Sequence, residues 1–249
     1  MPVDISKKAE LGLGAPDGPG SPEPQLGKTI ATQVPVDISK KAELGLGVPR
    51  GWHSRGYLPH FDSTDVLQSI TFRLADSLPQ SKLRQLEAEL KHLPPNTQNL
   101  VRRRQSEKWL DAGMGCCALR HPLVAAMVVE TLELSDPKRY ALIAWCVMPN
   151  HVHVLIEPRV SVSKIVQSWK SYAGRWMMQR NAALGLDIPG AERKIGDPKR
   201  TVWMRDYWDR DIRNESHLQR VVEYIHANPV KAGLCRKPRD WRWSSASVE

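Results

Sequence analysis

YALIAWCVMPNHVHVLIE, running from Tyr140 to Glu157, decides the fold. Two apolar runs rich in β-forming residues flank Met148-Pro149-Asn150, a short turn-forming break. The first run predicts a strand over Tyr140–Met148 and the second a strand over His151–Glu157, joined as a hairpin. Residues two apart on a strand share a face. His151 and His153 are therefore expected side by side, with Val152 turned into the opposite layer.

Upstream of the hairpin, Leu67–Leu74 alternates and reads as a first strand. Leu83, Leu86, Leu90 and Leu93 fall at helical spacing over Gln80–Leu93, which Pro94-Pro95 closes. A polar stretch with Arg102-Arg103-Arg104 follows, and Pro122 then opens a helix over Leu123–Leu134. Downstream, Ser161 or Ser163 caps a long helix carrying Ile165, Trp169, Tyr172 and Trp176 at i, i+4, i+7 and i+11, a spacing that assigns Tyr172 to the core. A loop with Pro189, Gly190, Gly196 and Pro198 precedes a strand over Thr201–Ile212. Asn214 caps a last helix expected to end near Asn228, because Pro229 follows.

With the leucine helix set aside, the order is strand, helix, strand, strand, helix, strand, helix. That is an α+β chain with a ferredoxin-like βαββαβ core and an antiparallel sheet. Helices cover one face of the sheet, and the terminal helix is available for the other.

The first fifty residues differ in kind. Pro2–Gly14 recurs unchanged as Pro35–Gly47, and the stretch between is rich in Gly, Pro and Ser. Two short copies without drift point to a recent duplication rather than a folded repeat. The expected organisation is a disordered extension over 1–51 and one domain over 52–249.

Among the 249 residues, 41% are hydrophobic, ordinary for a globular chain with a real core. No apolar run approaches the roughly 18 residues needed to span a bilayer, so no membrane role is expected. Cys116, Cys117, Cys146 and Cys235 lack zinc-ligand spacing and read as free thiols of a reducing cytoplasm. The net charge of +9 is unevenly placed. Residues 151–249 carry 18 Lys/Arg against 11 Asp/Glu, a balance of +7, whereas residues 1–100 carry 11 of each. The C-terminal half thus has the charge for a polyanionic partner.

Two neutral imidazoles on one strand face are good donors to a divalent metal, although an isolated His-x-His is more often an ordinary polar pair. Tyr224 and Asn228 share a helical face, so a hydroxyl and an amide oxygen point together. By themselves they read equally as a half-buried tyrosine and a capping asparagine.

Three separated motifs, in order, change that balance: Trp145–His153, Val202–Arg213 and Tyr224–Leu234. Together they resemble the REP-associated tyrosine transposases, members of the His-hydrophobic-His superfamily of single-strand endonucleases. The resemblance runs from about Gly51 to Ser247, including Arg55–Phe61 and Asp240–Ser245. It implies that His151 and His153 hold a Mg²⁺ or Mn²⁺ ion, with Asn228 as third ligand. Tyr224 falls on the nucleophile, making the last helix the catalytic one. The implied activity is metal-dependent nicking and rejoining of single-stranded DNA at short hairpin-forming repeats, through a 5′-phosphotyrosine. A hairpin-binding protein without turnover is the alternative.

The partner implied is single-stranded or hairpin DNA, handled by a monomer or homodimer in the cytoplasm, associated with the nucleoid. Arg205, Arg210 and Arg213, beside strand aromatics, are candidate DNA contacts, with Lys170, Arg175 and Lys231. Arg102–Arg104 reads as a further hairpin grip or as a solvated loop. Tyr207 is the reserve tyrosine, expected to stack or pack.

Overall fold

The computed structural model describes residues 51–54, 59–62, 66–134 and 138–247. The duplicated segment and the extension expected over 1–51 lie, apart from Gly51, outside them. Two short strands, β1 (Gly51–Ser54) and β2 (Pro59–Asp62), pair antiparallel as a hairpin for which the sequence reading had no element.

The main sheet comprises β3 (Gln68–Arg73), β4 (Tyr140–Val147), β5 (His151–Pro158) and β6 (Trp208–Asp211). Its order is β4-β5-β3-β6, with every neighbouring pair antiparallel. This is the strand arrangement of the expected βαββαβ core. The strand expected over Thr201–Ile212 is shorter, because Leu74 and Trp203 form only an isolated bridge before the chain leaves the ladder.

Five helices are described: α1 (Gln80–Leu90), α2 (Pro95–Asp111), α3 (Pro122–Glu133), α4 (Val162–Leu184) and α5 (Glu215–Lys231). The Arg102–Arg104 stretch is not a loop but part of α2. Pro94-Pro95 both stops α1 and starts α2, since proline is tolerated where helical N–H groups have no partner. With little apolar periodicity, α2 escaped a reading based on period. At the other end, α5 passes through Pro229 to Lys231. Pro229 lacks the donor that would serve the Ile225 carbonyl, but the ladder resumes with Ala232 N–H on Asn228 O.

The sheet has two unlike faces. On one, Ile70, Phe72, Val152, Val154 and Ile156 pack against Val124 and Val128 of α3 and Ile165, Trp169 and Met177 of α4. Each such fully buried side chain contributes roughly 1.5–3 kcal/mol. Trp169 stacks on Phe72 and donates its indole N–H to the Tyr140 hydroxyl at 2.9 Å. Tyr172, expected in this core, is 53% exposed; the buried stripe continues through Ala173 and Met177 instead. Ser161 is the α4 N-cap residue, yet its hydroxyl bonds Ser163 at 2.8 Å rather than a backbone N–H.

On the second face, Val221 and Ile225 of α5 cover Ala144, Cys146 and Leu155. A β-bulge between Leu142 and Ala144 sets which β4 side chains reach that face. The edge of β4 is closed by the C-terminal segment: Val147 N–H bonds Trp243 O at 2.8 Å, and Trp241 donates to Val147 O at 3.0 Å. The cysteines are free, and no helix among the described residues is long and apolar enough to cross a membrane.

Candidate active site

His151 and His153 open β5, and the strand period turns both to the second face, away from Val152 and Val154. The turn before them is held on three sides. Met148 N–H bonds His151 O at 2.9 Å, Leu119 N–H bonds Pro149 O at 3.1 Å, and Leu74 N–H bonds Asn150 O at 2.9 Å. Asn150 is fully buried, and its amide nitrogen donates to Met114 O at 2.9 Å.

That bond fixes a proton. With its nitrogen committed, Asn150 presents Oδ1 to His151 Nδ1 at 2.7 Å, and an amide oxygen only accepts. His151 therefore carries its proton on Nδ1 and a lone pair on Nε2. His153 Nδ1 lies 2.8 Å from the Thr71 hydroxyl, which can accept or donate, and the two Nε2 atoms are 2.9 Å apart. With Thr71 accepting, two lone pairs face each other, an arrangement that a shared cation relieves. With Thr71 donating, His153 carries its proton on Nε2 and donates it in a hydrogen bond to the His151 Nε2 lone pair.

Burial and neighbouring positive charge hold both rings neutral. Burial pushes His151 well below the usual histidine range, reinforced by His153 and Arg73, and brings His153 down to about 3, reinforced by Arg103 and Lys231. Both keep a lone pair at neutral pH.

Tyr224 and Asn228 come from α5, which Asn214 starts by accepting from His217 N–H at 2.9 Å. The Tyr224 ring stands edge-on to His153, centroids 5.4 Å apart, with the Lys231 ammonium 4.7 Å over it. Asn228 is buried; its amide nitrogen donates to Tyr224 O at 2.8 Å, while its Oδ1 has no hydrogen-bond partner. A buried, unpartnered carbonyl oxygen costs about 1–3 kcal/mol unless something occupies its lone pairs. Two neutral imidazoles and this orphaned oxygen form a donor set that fits a divalent cation. Among the described residues, no group of three His, Cys, Asp or Glu side chains competes for that role.

The Tyr224 hydroxyl is pushed up to about 12, by burial first and then by Glu107, with Asp111 adding to it and Asn228 and Arg103 opposing. Glu107 and Arg103 belong to α2 and are paired at 2.8 Å. These residues bring α2 to the tyrosine. Sequence reasoning missed Glu107, and the signal that could have found it is its i,i+4 spacing from Arg103.

The predicted DNA contacts divide. Arg210 lies on β6, and Lys231 sits beside Tyr224. Arg213 is exposed and 3.7 Å from Asp211, and Arg205 is exposed in the preceding loop. Lys170 gives its ammonium protons to the carbonyls of Met204, Arg205 and Asp206 at 3.0–3.2 Å and so tethers a loop. Arg175 is exposed on α4, which covers the other face of the sheet from the histidines. His226, between Tyr224 and Asn228, turns aside to bond the Ser245 hydroxyl at 2.9 Å.

The chain is similar to known transposases. Residues 126–228 match the IS200-like transposases. A REP-associated tyrosine transposase of Escherichia coli is 25% identical over 130 residues, 51% of this chain and 62% of that protein. A Haemophilus influenzae protein provisionally assigned to the same group is 25% identical over 111 residues, 43% of this chain and 58% of its own. The chain thus spans about three-fifths of the length of each relative. A solved REP-associated tyrosine transposase bound to a REP hairpin superposes with a TM-score of 0.41 at 19% identity, over 76% of this chain and 82% of that one. The stretch that is similar to the IS200-like transposases, residues 126–228, holds both histidines, the tyrosine and the asparagine.

Proposed function

We propose that this chain is a metal-dependent endonuclease and strand transferase for single-stranded DNA, acting at short hairpin-forming repeats through a 5′-phosphotyrosine on Tyr224. The observation that carries the reading is the convergence on one sheet face of the His151–His153 pair, the orphaned Asn228 oxygen and the Tyr224 ring. The hairpin substrate is taken from the two relatives named for REP elements and from the REP-bound structure.

His151, His153 and Asn228 would hold Mg²⁺ or Mn²⁺. The ion, when bound, supplies positive charge to the scissile phosphate and orients it. Asn150 and Thr71 hold the imidazoles in register. Tyr224 Oη attacks the phosphorus, the phosphotyrosyl bond forms, and the departing strand leaves with a free 3′-hydroxyl. Attack by another 3′-hydroxyl on that bond reverses the step, releases Tyr224 and joins the strands. The phenol is protonated at neutral pH and must lose its proton in the attack. Lys231, over the ring, favours the phenolate as it forms.

The test is a denaturing gel with a labelled single strand carrying a hairpin from the repeats of the source genome. Wild type and Tyr224→Phe are each run with Mn²⁺, Mg²⁺ or EDTA. A protein-linked DNA band that requires metal and Tyr224 is the expected result. Unchanged cutting by Tyr224→Phe removes Tyr224 as the nucleophile and makes Tyr207 the next candidate. Binding without cutting under every metal leaves a hairpin-binding protein.

A further inference from the structure

Beside the histidines lies a cavity of about 390 Å³ that the chemistry above does not use. Its floor follows from the strand register. Thr71 stands opposite His153 on β5 and opposite Trp208 on β6, and Arg73 stands opposite His151. Residues facing each other across a ladder project to the same side. The histidine pair, Thr71, Arg73 and Trp208 therefore form one continuous strip on the second face of the sheet. The roof is made by α1 and α2, which a two-bonded ion pair holds together, Arg102 to Glu87 at 2.6 and 2.9 Å. Leu78, Leu83 and Ala88 give the cavity an apolar side, and Arg84 and Lys91 add cations at its wall.

Arg73 makes the cavity more than a gap. It is 8% exposed, so its charge is largely removed from water. Its guanidinium makes one hydrogen bond, to the Ser77 hydroxyl at 3.1 Å, and lies 5.6 Å from the centre of the Trp208 ring. Burial lowers it to about 10 despite the nearby Asp206 carboxylate. Arg73 has donors beyond that one bond and shares the cavity lining with Asp206, so its guanidinium is available to an anionic group entering there. Trp208 offers an aromatic face beside it. The volume falls in the range of about 300–1,000 Å³ typical of ligand pockets.

A flat aromatic group joined to an anion matches this lining, and single-stranded DNA offers that combination at every nucleotide. We propose that the cavity is a nucleotide subsite: it takes the base of one unpaired nucleotide flanking the cut, stacked on Trp208, with Arg73 on its phosphate. The proposal rests on the single-strand reading given above and deepens it. The subsite shares the Thr71 side chain, which lines the cavity and bonds His153, so an occupied cavity fixes which phosphate reaches the histidines.

The experiment uses the full chain in EDTA, so no cutting is needed. The probe is a hairpin oligonucleotide from the genomic repeats with unpaired bases left beside its stem as a foot, in which 5-bromodeoxyuridine replaces one base at a time. After irradiation, the cross-linked peptides are mapped by mass spectrometry. One foot position is expected to cross-link to the peptide holding Tyr207 and Trp208. Trp208→Ala should weaken hairpin binding about tenfold, the size of one lost base stack. Ala88→Trp, at an exposed position on the cavity wall, should fill the space and abolish the cross-link. A hairpin that binds but never cross-links to that peptide, or that binds Ala88→Trp as tightly as wild type, overturns the subsite alone. Absence of any hairpin binding overturns both the subsite and the single-strand reading.

Discussion

The side-chain amide of Asn228 donates to the backbone carbonyl of Tyr224 at 2.8 Å, tying the candidate third ligand to the candidate nucleophile within one turn of α5. The bond uses the Asn228 nitrogen and leaves Oδ1 buried without a partner. One bond thus fixes which way the Asn228 amide is turned and ties it to the backbone at the tyrosine.

Asn228→Ala should lose most of the thermal stabilisation that Mn²⁺ gives the wild type, because a ligand stabilises only in proportion to its affinity for the folded state. Asn228→Asp, which keeps an oxygen donor, should retain it. Differential scanning fluorimetry against Mn²⁺ concentration reads both. Equal Mn²⁺ shifts in wild type and Asn228→Ala would exclude this oxygen as a ligand.

Asn150 is fully buried, and it fixes the His151 proton on Nδ1. Asn150→Ala should weaken Mn²⁺ binding roughly 10- to 100-fold, the usual cost of losing such an orienting partner. Titration followed by electron paramagnetic resonance measures it. Circular dichroism checks that the fold survives removal of the bond to Met114. Unaltered Mn²⁺ affinity in a folded variant would show that the tautomer is set elsewhere.

Tyr224 is held protonated by burial, with its ionisation raised to about 12. Below that value the phenolate fraction grows tenfold with each pH unit, so formation of the covalent adduct should rise steadily between pH 7 and pH 9. Both histidines are already neutral there and add no opposing limb. A rate that is flat or falling across this window would mean that proton loss from Tyr224 does not limit attack.

Trp169→Ala should cost about 3–5 kcal/mol of folding stability, since it removes the largest fully buried side chain of the core together with its contacts to Phe72 and Tyr140. Urea denaturation gives the number. A loss under about 1 kcal/mol would mean that α4 does not depend on this residue to hold the sheet.

What the sequence determined by itself is the local part. The turn at Met148–Asn150, the two-residue period of β5 and the cap at Asn214 act over a few residues, so the hairpin, the histidine pair and the last helix were all legible. Their family motifs pointed to the same four side chains. Everything that depends on distant groups was settled by packing. The register of β3 against β5 and β6 brought Thr71, Arg73 and Trp208 beside the histidines. Helix α2, which lacks an apolar period, came over the site and set Glu107 against Tyr224. Lys170 and Arg175 show the same limit in reverse: a cation's sequence neighbours do not reveal whether its protons go to carbonyls or which face of the sheet its helix covers. Burial, finally, is a property of the packed chain, and it is burial that keeps His151 and His153 neutral, Tyr224 protonated and Asn228 Oδ1 without a partner.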